Sequence, residues 1–302
     1  MTANLAASIR ARLLALAKQH GYDYNLVLNR FGLERLLYRL STSAYADRFL
    51  LKGAMLFSLW YDDPHRPTRD ADLLGFGQDD IAHLIAVFQE IAAIDTGDGV
   101  QFAPDSVQAQ TIREDSTYGG TRITLTGTIG SARCPIQIDI GFGDAVTPGP
   151  ETVTFPAVLD GIPAPTLRVY PVYTVIAEKY QAMVMLGLAN SRMKDFYDLY
   201  VIAHRTALEA TTLAGAIAAT FARRDTAIPT QLPLPLTPEF AKAPAKQQQW
   251  KAFLTRNRLK KTTLEEAISR LRLLLWLPTE LAVSGAPSPA RWQPDRCAWE
   301  RT

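Results

Sequence analysis

Between residues 106 and 142 the chain changes its period. SVQAQTIRED, TRITLTGTI and CPIQIDIGFG are rich in Val, Ile and Thr, with turn signals at Tyr118-Gly119-Gly120 and Gly130-Ser131 between them. Apolar and polar residues that alternate at period two fit a strand with one buried face. On both sides the period is helical. Ile9, Leu13, Leu16 and Ala17 share one face, and Leu26, Leu28, Leu33, Leu36, Leu37 and Leu40 follow the break at Gly21. Helices are also expected over 46–60, 81–94, 174–188, 194–206, 208–223 and 262–275. Helices, then a short mixed sheet, then a helical half define an α+β chain.

The expected organisation is an N-terminal helical segment over 1–45, a mixed-sheet core over 46–170, a helical domain over 171–280 and a loosely ordered tail over 281–302. Residues before Asp70 form a proline-marked loop. Residues 144–170, with five prolines, read as a loop-rich crossing with one edge strand. IPTQLPLPLTPEF (228–240), with four prolines in 13 residues, reads as a linker or extended surface segment.

A chain of 302 residues can bury a sizeable core unaided. With 47% hydrophobic and 21% charged residues it falls outside the disordered, collagenous and coiled-coil classes. Its net charge of +2 gives no overall polyanion signal, so a nucleic-acid contact has to come from a local patch. Cys134 and Cys297 lie far apart and form neither a metal-ligand spacing nor a disulfide framework. No apolar run is long enough for a membrane span, and Arg10 and Arg12 interrupt the apolar N-terminal stretch, unlike a signal peptide. A cytoplasmic location is expected.

Asp70 and Asp72 stand two apart in an extended segment, where side chains i and i+2 share a face. Two such anions repel each other, and Arg69 is the one nearby neutraliser. They are either solvated turn carboxylates or ligands of a divalent cation such as Mg²⁺, which takes carboxylate oxygens together with substrate phosphates. Asp139 occupies the polar face of an otherwise Ile-rich strand, and a buried carboxylate without a partner is costly. If that strand neighbours the Asp70–Asp72 segment, three carboxylates converge and could hold two metals about 3.5–4 Å apart. Lys52-Gly53-Ala54 precedes this segment. Gly53 either packs a helix or lets backbone N–H groups approach a phosphate.

Lys179 falls on the apolar face of its helix, among Ile176, Tyr180, Met183, Leu186 and Gly187, with Glu178 and Gln181 on the other side. It must snorkel outward or meet an anion, and a triphosphate is one such anion. Asp195 and Asp198, three apart, share a helical face. Asp195 either stabilises the first helical turn or holds Lys179 or a nucleotide group. Residues 242–272 carry nine basic side chains against Glu265 and Glu266, with Trp250 and Phe253 interleaved. That stretch is either a solvated face or a grip on an RNA backbone.

Taken in order, RFLLKGAMLF, RPTRDADLLG, IQIDIGFGD, TVIAEKYQAMV and NSRMKDFYDLY resemble the nucleotidyltransferase toxins of the AbiEii/AbiGii type, within the polymerase-β-like superfamily. The resemblance spans roughly residues 24–205. It implies a nucleotidyltransferase core with a helical domain, Mg²⁺ and an NTP donor. It makes Asp70, Asp72 and Asp139 the metal ligands and, with Lys179 and Asp195, the catalytic set. Lys52, Gly53, Thr68, Arg69, Lys179 and Asp198 become the nucleotide contacts. Relatives carry Gly-Gly or Gly-Ser where this chain has Gly53-Ala54, and Ser58 lies too far along to supply that hydroxyl. Such proteins act in abortive infection as toxins paired with a separately encoded antitoxin, and some extend the 3′ end of tRNA. The expected activity is therefore Mg²⁺-dependent transfer of NMP from an NTP to an acceptor, the tRNA 3′ end first. A protein or small-molecule hydroxyl, or a non-catalytic relative that binds nucleotide or antitoxin, is the alternative.

Overall fold

The computed structural model describes residues 2–61, 68–115 and 118–301. The proline-marked loop over 62–67 lies outside the described residues. The chain divides into two compact units. One comprises Met1–Gly143 with Glu151–Val169, the other Asp144–Pro150 with Tyr170–Thr302.

The first unit contains α1 (Thr2–His20), α2 (Tyr24–Thr42), β1 (Phe49–Lys52), α3 (Phe57–Trp60), β2 (Ala71–Gly75) and α4 (Ile81–Ala93). It continues with β3 (Gln101–Phe102), β4 (Gln108–Asp115), β5 (Tyr118–Ile129), β6 (Ala132–Phe142), β7 (Glu151–Thr154) and β8 (Thr166–Val169). The strands form one mixed sheet in the order β3-β5-β6-β2-β1-β8-β7, and β4 also pairs with β5. The β2–β6 and β1–β8 pairs are parallel and the others antiparallel.

Asp23 caps α2, its carboxylate accepting the Leu26 N–H at 3.0 Å. The helix is buried on nearly every side, and its polar residues therefore need internal partners. Arg39 makes a bidentate pair with Asp98 at 2.8 and 3.1 Å and donates to the Ile94 and Val100 carbonyls. Arg35 pairs with Glu34 at 2.6 Å. Gly32 faces β6, where a Cβ would come within 2.1 Å of Cys134 Sγ.

Three sequence expectations change in this unit. Residues 46–60 are not one helix. They contain β1, fully buried and flanked by β2 and β8, followed by a 3₁₀ turn and the short α3. A strand buried on both faces presents a continuous apolar run that periodicity cannot distinguish from a buried helix. Tyr118-Gly119-Gly120 is no turn but the start of β5. A Cβ at Gly120 would lie 3.0 Å from the Ile140 carbonyl oxygen, so glycine there permits a close strand approach. Residues 151–169 supply two strands, and β8 lies inside the sheet rather than at its edge.

The second unit contains α5 (Val172–Leu186), α6 (Met193–Arg205), β9 (Leu208–Glu209), α7 (Ala210–Arg223), α8 (Pro238–Lys242), α9 (Pro244–Arg256), α10 (Leu264–Ser284), β10 (Ala290–Gln293) and β11 (Ala298–Arg301). The expected linker over 228–240 is packed: Phe240 is fully buried and stacks on Phe196 with ring centroids 5.4 Å apart. The tail is ordered as well. β10 and β11 join β9 in a small sheet, and the fully buried Trp292 donates its indole N–H to the Ala203 carbonyl at 2.7 Å. Its two tryptophans give this polar segment an apolar anchor that composition averaged over the segment conceals.

α10 runs nine residues beyond its expected end and takes Pro278 into its interior. Proline cannot donate to the Leu274 carbonyl. The Trp299 indole N–H reaches that carbonyl at 3.1 Å and the neighbouring Leu273 carbonyl at the same distance. A C-terminal strand thus supplies the donor that the helix lacks.

Candidate active site

Strand register places a row of polar residues across one face of the first unit's sheet. Lys52 of β1 pairs with Asp72 of β2, Asp72 with Asp139 of β6, Asp139 with Arg122 of β5, and Arg122 with Gln110 of β4. Residues in register across a sheet project from the same face. Two carboxylates therefore stand side by side at the centre of the row with a cation at each flank. The alternate residues Leu51, Leu73 and Ile140 are buried on the other side, which fixes the register, because a one-residue slip would bring the carboxylates into the core.

Arg122 holds both oxygens of Asp139, Nε to Oδ1 at 2.8 Å and Nη2 to Oδ2 at 2.7 Å. The Arg122 side chain keeps 32% exposure while that of Asp139 keeps 9%. The guanidinium pKa is raised, first by its hydrogen bond to Asp139 and against the effect of burial, and further by the charges of Asp139, Asp70 and Asp72. All three carboxylates thus act on one cation. Asp70 lies in a bend just before β2, and the Thr68 hydroxyl donates to its Oδ1 at 2.7 Å. Arg69, the neutraliser expected from sequence, is exposed, and Arg122 bonds Asp139 instead.

Gly53 follows Lys52 at φ +73°, in the left-handed region that favours glycine. A Cβ there would lie 1.8 Å from Asp72 Oδ2. The Asp72 carboxylate occupies the space that any other residue at position 53 would fill.

In the second unit, Lys179 Nζ lies 2.7 Å from Asp195 Oδ1 and 2.8 Å from Asp198 Oδ2, with 14% of its side chain exposed. Lys179 thus meets an anion rather than snorkelling, and the anions are the protein's own. Arg192 Nε approaches Asp195 Oδ2 at 2.9 Å. Burial alone would raise the Asp195 pKa, but Lys179 and Arg192 outweigh it and hold the carboxyl below its ordinary value. The Glu178 and Gln181 side chains, on the polar side of α5, meet Arg224 at 3.5 and 3.0 Å.

The basic stretch is partly structural. Lys246 is buried and donates to the Asn190 carbonyl at 2.7 Å. Trp250 is buried against Tyr197 and gives its indole N–H to the Thr262 carbonyl at 2.9 Å. The expected aromatic interleaving is core packing, whereas Lys251, Arg256, Arg258, Lys260 and Lys261 remain exposed.

The family described as "Nucleotidyl transferase AbiEii toxin, Type IV TA system" matches residues 35–270. The chain belongs to that family. An AbiEii-family chain is a nucleotidyltransferase, which makes this protein an enzyme and the toxin type of a type IV toxin–antitoxin system. Among solved structures, JHP933 from Helicobacter pylori is similar at 14% identity and a TM-score of 0.49, over 87% of this chain and 95% of that one. A candidate nucleotidyltransferase from H. pylori is similar at 14% identity and a TM-score of 0.45, over 85% and 96%. No curated protein matches the chain. No helix among the described residues is long and apolar enough to cross a membrane.

For an AbiEii-family enzyme the donor set is all oxygen, the chemistry of a hard divalent cation. Asp72 and Asp139, two of the three carboxylates expected to hold the metals, stand in register, and Asp70 lies just before β2. Among the described residues no three His, Cys, Asp or Glu side chains come together in an ion-holding group, and Arg122 occupies both oxygens of Asp139. Mg²⁺ commonly takes one or two carboxylates and completes its shell with water and substrate phosphates. Asp70, held by Thr68, and Asp72, laid over Gly53, suit that role. Sequence reading missed Arg122. The signal was present in TRITLTGTI, where Arg122 shares the polar face with Thr124 and Thr126. Its significance emerges only once β5 is paired with β6.

Proposed function

We propose that this AbiEii-family chain transfers a nucleotidyl group from an NTP to the 3′-hydroxyl of tRNA, with Asp70 and Asp72 as ligands of a divalent cation. The cation, when bound, neutralises the developing charge on the phosphates. The observation that carries the reading is the Asp72–Asp139 register, with Asp70 two residues ahead and the Asp72 carboxylate laid against Gly53. Asp139 is the base for the acceptor hydroxyl: it takes the proton as the oxygen attacks the α-phosphorus, and the α–β bond breaks to release pyrophosphate. Arg122 keeps that carboxylate oriented. Lys52, Gly53, Thr68 and Arg69 belong to the nucleotide contacts. Lys179 adds a cationic contact whose ammonium is fixed by Asp195 and Asp198. Positioning and charge stabilisation are most of what phosphoryl transfer requires.

The exposed cations of 251–261 suit an RNA backbone, whose binding weakens as salt rises. A cognate antitoxin is the proposed protein partner and the cytoplasm the proposed location. The test is incubation with each α-labelled NTP, Mg²⁺ and total tRNA. Label enters tRNA with the parent protein and is lost with Asp70→Asn. Label on protein or small molecules instead overturns the tRNA acceptor, and no transfer to any fraction overturns the activity.

A further inference from the structure

Helix α10 turns Leu271, Leu274, Leu275 and Pro278 into the core of the second unit. Its other side faces outward. There Arg272, Trp276 and Glu280 follow one another at intervals of four residues and so form a single ridge along the helix. Leu273 and Leu277 lie beside the ridge, and Leu273 keeps 45% of its surface exposed. Together with Leu232 from the proline-rich segment, these residues line a groove of about 400 Å³. A half-buried tryptophan among partly exposed leucines marks an interaction surface, and aromatic side chains are enriched at the centre of interfaces. Arg272 and Glu280, at the two ends of the ridge, are both exposed. Among the described residues neither has an ion pair or hydrogen bond within the chain.

The order of the charges selects the occupant. Trp276 stands midway between a cation and an anion, so the ridge is complementary to its own reversed copy. Two helices that pack their i±4n ridges into each other's grooves cross at about 50°, the commonest class of helix packing, and this lays the two ridges side by side. A two-fold axis reverses one ridge relative to the other and presents the same patch from both partners. We infer that the outer face of α10 is a self-association surface whose partner is a second copy of this chain, with the two-fold axis at Trp276. Arg272 of each copy then meets Glu280 of the other, and the pairing occurs twice. A parallel arrangement would set Arg272 against Arg272 and Glu280 against Glu280, and like charges in opposition reject it. The association uses the second unit alone and does not depend on the reaction proposed above.

Sedimentation velocity of the purified full-length chain, over about a hundredfold range of concentration, is the test. The parent passes from monomer to dimer as its concentration rises. Arg272→Glu and Glu280→Arg each oppose like charges at both contacts and weaken the dimer at least tenfold. Trp276→Ser removes the centre of the patch and weakens it at least tenfold as well. An equimolar mixture of Arg272→Glu with Glu280→Arg again opposes unlike charges at both contacts and dimerises to within threefold of the parent. The double substitution Arg272→Glu/Glu280→Arg exchanges the pair within one chain and does the same. Recovery in the mixture also demonstrates that both single variants are folded. Where a single variant fails to melt cooperatively, the double substitution decides in its place. A parent that stays monomeric at every concentration overturns the inference whatever the variants do, and leaves the groove to a different protein. A parental dimer that both charge reversals leave unchanged is built on another face, which overturns it equally. Folded single variants that weaken the dimer but fail to recover when mixed overturn the reciprocal pairing of Arg272 with Glu280.

Discussion

Lys179 and Asp195 form a buried ion pair 2.7 Å long, and Asp198 closes on the same ammonium from one helical turn away at 2.8 Å. With Arg192 on the outer oxygen of Asp195, two cations match two carboxylates that are almost wholly withdrawn from water. The ammonium is thereby fixed in place and cannot swing as a surface lysine does. Lys179→Met withdraws the ammonium from two buried anions, and removal of one member of a buried network costs about 3–5 kcal/mol. The pH dependence has a defined sign. Burial alone would raise Asp195, yet Lys179 and Arg192 hold it below its ordinary 3.8. Its contribution is therefore present above that value and lost as pH falls through the lower folded value. In Lys179→Met the burial effect prevails and the Asp195 pKa rises. Chemical denaturation of parent and variant between pH 3 and 7 checks both the loss and the altered acid limb.

Gly53→Ala is expected to be far more damaging than its single methyl suggests. A left-handed backbone costs a residue with a Cβ about 1–2 kcal/mol. Here that Cβ would also lie 1.8 Å from Asp72 Oδ2, so the carboxylate must move. The variant therefore loses about 1–3 kcal/mol of stability and loses nucleotidyl transfer more completely than stability. Melting curves beside a transfer assay separate the two. Parental activity at reduced stability would show that the Asp72 position is not needed.

Glu34 is buried beneath Arg35 and accepts the Val158 N–H as well as the guanidinium. Burial raises its pKa above the ordinary 4.5, while Arg35 and the Val158 amide oppose that rise without cancelling it. Between 4.5 and the higher folded value, the folded protein therefore holds on Glu34 a proton that the unfolded chain has released. The stability from Glu34 is complete below 4.5 and is lost as pH rises through the higher folded value. Glu34→Gln keeps an acceptor for Val158 and removes the titration. Its stability curve should lack the decline with rising pH that the parent shows just above 4.5, measured by urea unfolding at closely spaced pH values.

What could be read in the sequence follows from how local each signal is. α4 is legible because its apolar period lies wholly within the helix. β5 and β6 were legible because alternation is a property of each strand alone. Asp139 stood out as the polar residue in an apolar strand, and Lys179 as the cation on an apolar face. β1 was misread as helix because its burial on both faces is imposed by β2 and β8, which lie far away in the chain. Arg122 was overlooked for a related reason: an arginine on the polar face of a strand is ordinary until the neighbouring strand proves to carry Asp139. The tail was read as loose because its order depends on where Trp292 and Trp299 dock.

The link between Pro278 and Trp299 provides a further test. Pro278 leaves the Leu274 carbonyl without its helical donor, and the Trp299 indole N–H reaches that oxygen at 3.1 Å. Trp299→Phe keeps a large ring and removes only the donor, so a part-buried carbonyl loses its partner at a cost of about 1–3 kcal/mol. Pro278→Ala restores a backbone N–H that can bond to the same carbonyl, and it relieves the proline ring's crowding of the preceding turn. In the Pro278→Ala background the indole is then redundant, and Trp299→Phe should cost about 1 kcal/mol less than in the parent. A double-mutant cycle by denaturant unfolding measures that coupling. Equal costs in the two backgrounds would mean that the indole serves the Leu273 carbonyl or packing against Trp292, and not the proline.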